Sequence, residues 1–240
     1  MEIPLNSHPW KIFSGTTQEW ELFDTKERFV RNLQKNRNLL AVNGWLEKKI
    51  YYNFNNEGFR SDEFSHDRNS ILFLGCSLTF GTGLQLEEVY AYQLSKSLNM
   101  KYYNLALGAS SNDTSFRLAY YYIAKLLPKI VICLSPEPTR LELWDDEDVL
   151  FFRHEKSEYL NNGFYKTWLL NNNNSFLNQK KNILAIENIC NSYRIKFKTY
   201  NSNEVFTNEI WADNDFARDL SHPGKHTHKC VHDKILSTLD

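Results

Sequence analysis

The sequence predicts an α/β protein built as a three-layer α/β/α sandwich with a mostly parallel sheet. Three observations carry this reading. From Ser70 onward, strand-like and helix-like segments alternate, the order that builds a sheet covered on both faces. Ile71-Leu72-Phe73-Leu74 is a short, continuous apolar run, as a strand buried on both faces must be. Lys129-Ile130-Val131-Ile132-Cys133-Leu134 repeats that pattern with β-branched residues.

Taken in order, residues 1–68 read as a helical and extended N-terminal region that packs on the core or on a partner chain. Asp24 followed by Glu27 has the form of a capping box, opening a helix that runs to about Leu40 and ends near Asn43-Gly44. Phe29, Leu33, Leu39 and Leu40 form its apolar stripe. Residues 51–60, aromatic and Asn-rich with Gly58 as punctuation, read as extended or turn structure. The α/β domain spans 69–240. A glycine-rich turn follows the first strand, then a helix over 87–98 and a strand over 102–107. Residues 113–127 place Phe116, Tyr120, Ile123, Ala124 and Leu127 on one helical face, and Pro128 ends that helix. After the strand at 129–134 comes an insertion, about 136–175, rich in acids, aromatics and asparagines. A helix over 178–192, a strand over 195–200 and a last helix over 224–238 complete the chain.

Composition excludes several classes. Basic and acidic residues number 28 and 29, for a net charge of -1, so no basic footprint for nucleic acid is present. No run approaches the roughly 18 apolar residues of a membrane span. The N-terminus lacks a basic segment followed by an apolar one, so no secretory signal is expected. Cys76, Cys133, Cys190 and Cys230 are scattered and form no C-x-x-C pair. They read as reduced thiols, and the expected setting is the cytoplasm. The pattern fixes no oligomeric state.

Chemistry concentrates in two places. In Leu74-Gly75-Cys76-Ser77-Leu78-Thr79-Phe80-Gly81-Thr82-Gly83, a strand runs into a glycine-rich turn and a helix follows. Ser77 then sits at the C-terminal edge of a parallel sheet, where open α/β proteins place their ligands. Its hydroxyl can be exposed there, and its backbone N–H can point at a developing oxyanion. Near the other end stands Asp219-Leu220-Ser221-His222-Pro223. In a tight loop this spacing lets a carboxylate orient its own histidine, which can then take the proton of a serine hydroxyl. Cys76 reads as a small buried neighbour of the nucleophile. His228 and His232 have the i,i+4 spacing of metal ligands, but with His226 they read as a solvated helix face.

These blocks resemble those of the SGNH (GDSL-like) hydrolases. The first is similar to that family's L-G-D-S-x-T-x-G block, with Cys76 where the family has aspartate. The second has the family's D-x-x-H-P form, in the family's chain order and with a helix after the histidine. Asn104-Leu105-Ala106-Leu107-Gly108 looks like its N-x-x-x-G block, and Asn56-Glu57-Gly58-Phe59-Arg60 like the N-x-G-F-R segment of many relatives. The resemblance covers about 53–239, weakly over 136–210. It implies a flavodoxin-like fold and a triad of Ser77, Asp219 and His222. It also implies an oxyanion hole from the N–H groups of Ser77 and Gly108. The G-x-N-D block is missing, because the third strand ends in Leu134-Ser135-Pro136-Glu137-Pro138-Thr139-Arg140. Asn112 is the expected substitute donor, although it is equally placed to cap a helix. Arg140 is the second candidate donor, and a candidate for binding substrate or for pairing with Glu142.

The implied activity is ester hydrolysis through an acyl-serine, on short acyl (O-acetyl) esters of carbohydrates. The expected partner is a small-molecule or glycan ester; no metal or organic cofactor, nucleic acid or membrane is expected. The aromatics of the insertion (Trp144, Phe151, Phe152, Tyr159, Tyr165, Trp168) are candidates for a sugar-binding lid. Two rivals stand beside this reading: an O-acyltransferase on the same fold, and a catalytically weak or inactive binding or virion-associated protein. The Asn-rich, Pro-poor style resembles phage-encoded relatives.

Overall fold

The computed structural model describes residues 4–145, 148–152, 163–168, 171–207, 211 and 213–239. In the N-terminal region, Thr17–Gln18 (β1) pairs antiparallel with Tyr52–Asn53 (β2). Between them lie helices Lys26–Lys35 (α1) and Arg37–Val42 (α2). The cap of α1 differs from expectation: Thr25, not Asp24, accepts the Arg28 N–H. Asp24 is buried and its carboxylate holds Arg218, which leaves the cap to the neighbouring hydroxyl. The single expected helix breaks at Asn36, whose backbone leaves the helical region. Trp10, Trp45, Tyr52 and Phe54 of this region are buried in the main core.

The central sheet contains Ser70–Leu74 (β3), Lys101–Asn104 (β4), Ile130–Ser135 (β5) and Lys196–Asn201 (β8), all parallel, in the order β4-β3-β5-β8. The labels β6 and β7 belong to Leu141–Asp145 and Asp148–Phe152, an antiparallel hairpin inside the insertion. Every residue of β3 and β5 is buried, which explains their unbroken apolar runs. The expected strand at 102–107 stops early. Asn104 Oδ1 accepts the Ala106 N–H at 3.0 Å, a local bond that interrupts the regular strand, while the Leu105 N–H still donates to the Phe73 carbonyl at 2.9 Å.

Helices Tyr90–Ser97 (α4) and Lys225–Leu236 (α9) pack together on one face. Asn112–Leu126 (α5) and Asn172–Ser192 (α7) pack together on the other. The short helices Ser77–Phe80 (α3), Gly163–Trp168 (α6) and Ser202–Val205 (α8) complete the set. This division follows from right-handed crossovers. The chain goes from β3 outward to β4, then back past β3 to β5, so successive helices fall on opposite faces. The reversal makes the C-terminal ends of β3 and β5 a topological switch point, where such sheets open a ligand crevice. Helix α7 starts at Asn172, earlier than expected, because Asn171 caps it within a poly-Asn run that sequence propensity disfavours. No described helix is long and apolar enough to cross a membrane.

Candidate active site

Ser77 is the first residue of α3, three residues past the end of β3. Gly75 makes the turn possible at φ +152°, and a Cβ there would stand 2.4 Å from Thr79 Oγ1 and 2.9 Å from the Leu134 carbonyl. Cys76 follows in extended backbone and Ser77 starts the helix. The first N–H groups of a helix have no intrahelical acceptor, so those of Ser77 and Leu78 remain available at the switch point. Arg60 fixes the far end of this short helix. Its buried guanidinium donates to the carbonyls of Phe80 (3.2 Å), Gly81 (2.7 Å) and Leu84 (2.7 Å) and stacks on Tyr52.

The structure brings the three sequence-selected polar residues into one chain of hydrogen bonds. Ser77 Oγ lies 2.8 Å from His222 Nε2, and His222 Nδ1 lies 2.7 Å from Asp219 Oδ2. Asp219 is acceptor-only when ionised. The network therefore assigns the imidazole proton to Nδ1 and leaves Nε2 to accept from the serine hydroxyl. The other carboxylate oxygen, Oδ1, accepts the N–H groups of Ser221 (3.1 Å) and His222 (3.2 Å). Burial works most strongly against ionisation of Asp219. His222, Arg28 and the Ser221 N–H together outweigh it and hold the carboxyl below its ordinary value.

A cleft of about 470 Å³ opens on Ser77 and His222. Its polar lining includes Arg28, Glu137, Arg140 and Asn203, and its aromatic lining Phe23, Phe206 and Trp211. Cys76 also lines it, but the imidazole is bonded to the serine beside it. Arg140 faces this cleft with Nη1 buried and without a hydrogen-bond partner. Glu142, the ion-pair partner considered for Arg140, instead forms a buried pair with Arg117 at 2.6 Å.

Asn112 does not line the cleft. Its Nδ2 donates to the Pro136 carbonyl (3.1 Å) and its Oδ1 accepts from Ser135 Oγ (2.8 Å), so the side chain braces the end of β5 against α5. Nor does it cap α5; Ser111 does, accepting the Thr114 N–H. Gly108 sits in the loop after β4 with Phe23 against it, and a Cβ there would stand 2.5 Å from Phe23 Cδ2. The neighbouring Ser110 Oγ donates to the Gly75 carbonyl at 2.9 Å, which ties this loop to the turn before Ser77.

The histidines of α9 depart from expectation. His228 and His232 are buried, not solvated, because Thr227, His228, Val231, His232 and Ile235 form the helix's inner stripe. His228 Nδ1 accepts the Tyr90 N–H at 3.2 Å, and burial pushes its imidazole down to about 3. Among the described residues no group of three or more His, Cys, Asp or Glu is placed to hold a metal. Of the insertion's aromatics, Trp144 lies against the Arg117 guanidinium and Tyr159 lies outside the described residues.

Several residues at the site carry no sequence motif. Arg28 Nη1 stands 3.4 Å from Asp219 Oδ2, and Nη2 bonds Ser221 Oγ. Asn32, one turn along α1, donates to the Asp219 carbonyl at 3.0 Å. Arg218, buried against Asp24, anchors the residue before Asp219. The only hint of α1's role is the i,i+4 placement of Arg28 and Asn32 on one helix face.

No family model matches the sequence, and no curated protein matches it. Among solved structures, the chain is similar to the psychrotrophic esterase EstA from Pseudoalteromonas sp., at 13% identity over 71% of this chain and 96% of that one, with a TM-score of 0.40. It is similar to a GDSL-like lipase from Bacteroides thetaiotaomicron, at 12% identity over 73% and 91% of the two chains, with a TM-score of 0.37. It is also similar to a member of the lipolytic protein G-D-S-L family from Veillonella parvula, at 10% identity over 71% and 97%, with a TM-score of 0.39.

Proposed function

We propose that this protein is a serine ester hydrolase of the SGNH type, acting through an acyl-serine on short acyl esters of polar alcohols such as carbohydrates. The observation that carries the proposal is the continuous Ser77–His222–Asp219 relay, with links of 2.8 and 2.7 Å, at the mouth of a cleft. Both links lie within hydrogen-bond reach for a base that activates a nucleophile.

In this reading His222 Nε2 takes the Ser77 proton as Oγ attacks the ester carbonyl. Asp219 holds the ring and stabilises the imidazolium. The oxyanion is met by the N–H groups of Ser77 and Gly108, and Arg140 Nη1 stands in for the donor that the missing G-x-N-D block would supply. His222 then protonates the leaving alkoxide. Water, deprotonated by the same imidazole, attacks the acyl carbon and returns the hydroxyl to Ser77. The mixed polar and aromatic lining favours a small acyl group and a hydroxyl-rich alcohol over a long acyl chain.

Labelling with a fluorophosphonate tests this. The wild type is expected to label, and Ser77→Ala and His222→Ala are not. A folded wild type that does not label would favour the inactive binding protein, a reading supported by Asn112 being turned away from the cleft. Hydrolysis rates on O-acetylated sugars against long-chain acyl esters then test the substrate class.

A further inference from the structure

We infer that Arg28, on a helix of the N-terminal region, is a positioning residue that holds Asp219 in the orientation His222 needs; this rests on the proposed hydrolase reading. The loop has turns of its own: the Ala217 N–H donates to the His222 carbonyl and the Leu220 N–H to the Ala217 carbonyl, both at 2.9 Å, and the Arg218 N–H bonds the Gly83 carbonyl at 2.9 Å. Leu220 nonetheless lies in the left-handed region at φ 55°, a conformation that persists in a non-glycine residue only where surroundings over-determine it. The N-terminal region adds to those surroundings. Asn43 Oδ1 accepts the Phe216 N–H (2.9 Å) and Trp45 Nε1 donates to the Phe216 carbonyl (2.8 Å). Asp24 pairs with Arg218, and Asn32 holds the Asp219 carbonyl.

Arg28 is the one member of this set that touches the carboxylate. Thr25 caps its helix at the Arg28 N–H, and Nη1 also donates to the Phe23 carbonyl at 3.3 Å. Both contacts point the guanidinium at the loop. It then meets the same oxygen, Asp219 Oδ2, that receives His222 Nδ1–H, and it bonds Ser221 between the two. A planar cation with several fixed donors suits this task better than an ammonium. The charged and titratable groups around Asp219 are Arg28 from α1, the His222 imidazole from its own loop, and the Asp24–Arg218 pair behind it.

The test compares Arg28→Met, which keeps the apolar stem, with Arg28→Lys, on p-nitrophenyl acetate, a short acyl ester. Removing the carboxylate's charge, which leaves the histidine in the wrong tautomer, costs about 10⁴-fold in kcat in a triad of this kind. Loss of one of several constraints is expected to cost about 10- to 100-fold in kcat, with KM within about twofold, and Lys should recover part of it. A loss confined to KM would overturn the inference, because Arg28 also lines the cleft and would then be a substrate contact. So would a wild-type kcat in Arg28→Met. A second readout is independent of turnover: the downfield proton resonance of a His222 Nδ1–H bonded to Asp219. It should be present in the wild type and lost or shifted upfield in Arg28→Met, with Arg28→Lys between them. A wild type that keeps the resonance but labels with no fluorophosphonate would count against the hydrolase reading and not against the positioning role. An unchanged resonance in Arg28→Met would overturn the positioning role whatever the activity.

Discussion

Replacing Glu21 by Gln should change how folding stability depends on pH. Glu21 is buried in the N-terminal region, where it accepts N–H groups from Asp24 (2.8 Å) and Trp10 (3.3 Å). Burial is the main influence on its carboxyl, and repulsion from Asp24 adds to it; the accepted N–H groups offset only part. The carboxyl rises from 4.5 to about 7. Between those values the unfolded chain has released the proton and the folded chain retains it. The stability that Glu21 contributes is therefore full below the unfolded value and is lost as pH rises through the folded one. At about 1.4 kcal/mol per pH unit, the whole change is worth about 3 kcal/mol. Two other buried groups tilt the other way. Burial lowers His8 and His228 to about 3, so they weaken the fold as pH falls below the ordinary histidine range. They are common to both proteins and cancel in the comparison. The assay is urea unfolding of wild type and Glu21→Gln at about pH 5 and about pH 7.5. Relative to the variant, the wild type should lose about 2.4 kcal/mol between the two pH values, the remainder of the change falling outside that window. Equal pH dependence in the two proteins would refute the reasoning, since Glu21 would then titrate alike in the folded and unfolded chains.

Three further outcomes are expected. Arg218→Met should destabilise by about 3–5 kcal/mol in the same assay at neutral pH, because it strips the buried Asp24 carboxyl of its cation and, among the described residues, leaves its side chain with Tyr52 as hydrogen-bond partner. Gly108→Ala should destabilise by about 1–3 kcal/mol and slow fluorophosphonate labelling, because its Cβ would push Phe23 out of a 2.5 Å contact at the cleft wall. Arg140→Gln should lower kcat/KM by about 10²-fold if its orphaned Nη1 meets the oxyanion, and leave kcat near the wild type if it meets only the bound substrate.

The sheet was legible because burial on both faces writes itself as unbroken apolar runs, and β3 and β5 lie within a residue of where those runs stand. The chain of bonds from Ser77 to Asp219 was legible because tight turns demand particular spacings. The oxyanion side was less so. Asn112 stands two residues beyond Ser110, near the site in sequence, yet nothing local says that its amide will be consumed by Ser135 and Pro136 from another strand. The histidines of α9 misled for a related reason. Polar residues at i,i+4 read as solvated until the packing of α4 shows that each has a partner, Tyr90 N–H for His228 and Ser97 Oγ for His232. Long-range partners of single polar side chains leave no periodic trace.

That limit bears hardest on residues 4–68, which sequence reading treats as an extension. Their contacts fall on the loop that carries Asp219 and His222, through Asp24, Arg28, Asn32, Asn43 and Trp45, and on the turn that carries Ser77, through Arg60 and Tyr52. Tyr52 joins the two halves: its hydroxyl donates to Asp24 and accepts the Gly83 N–H. A displacement at the Asp24–Arg218 pair therefore reaches both Ser77 and His222, whose 2.8 Å contact tolerates little relative movement. The N-terminal region and the α/β domain therefore share one network of contacts at the site, although they meet as separate segments in the sequence. Under the proposed function, stability and activity should fall together when these shared contacts are cut, because the residues around Ser77, His222 and Asp219 are held from outside the short motifs that carry them.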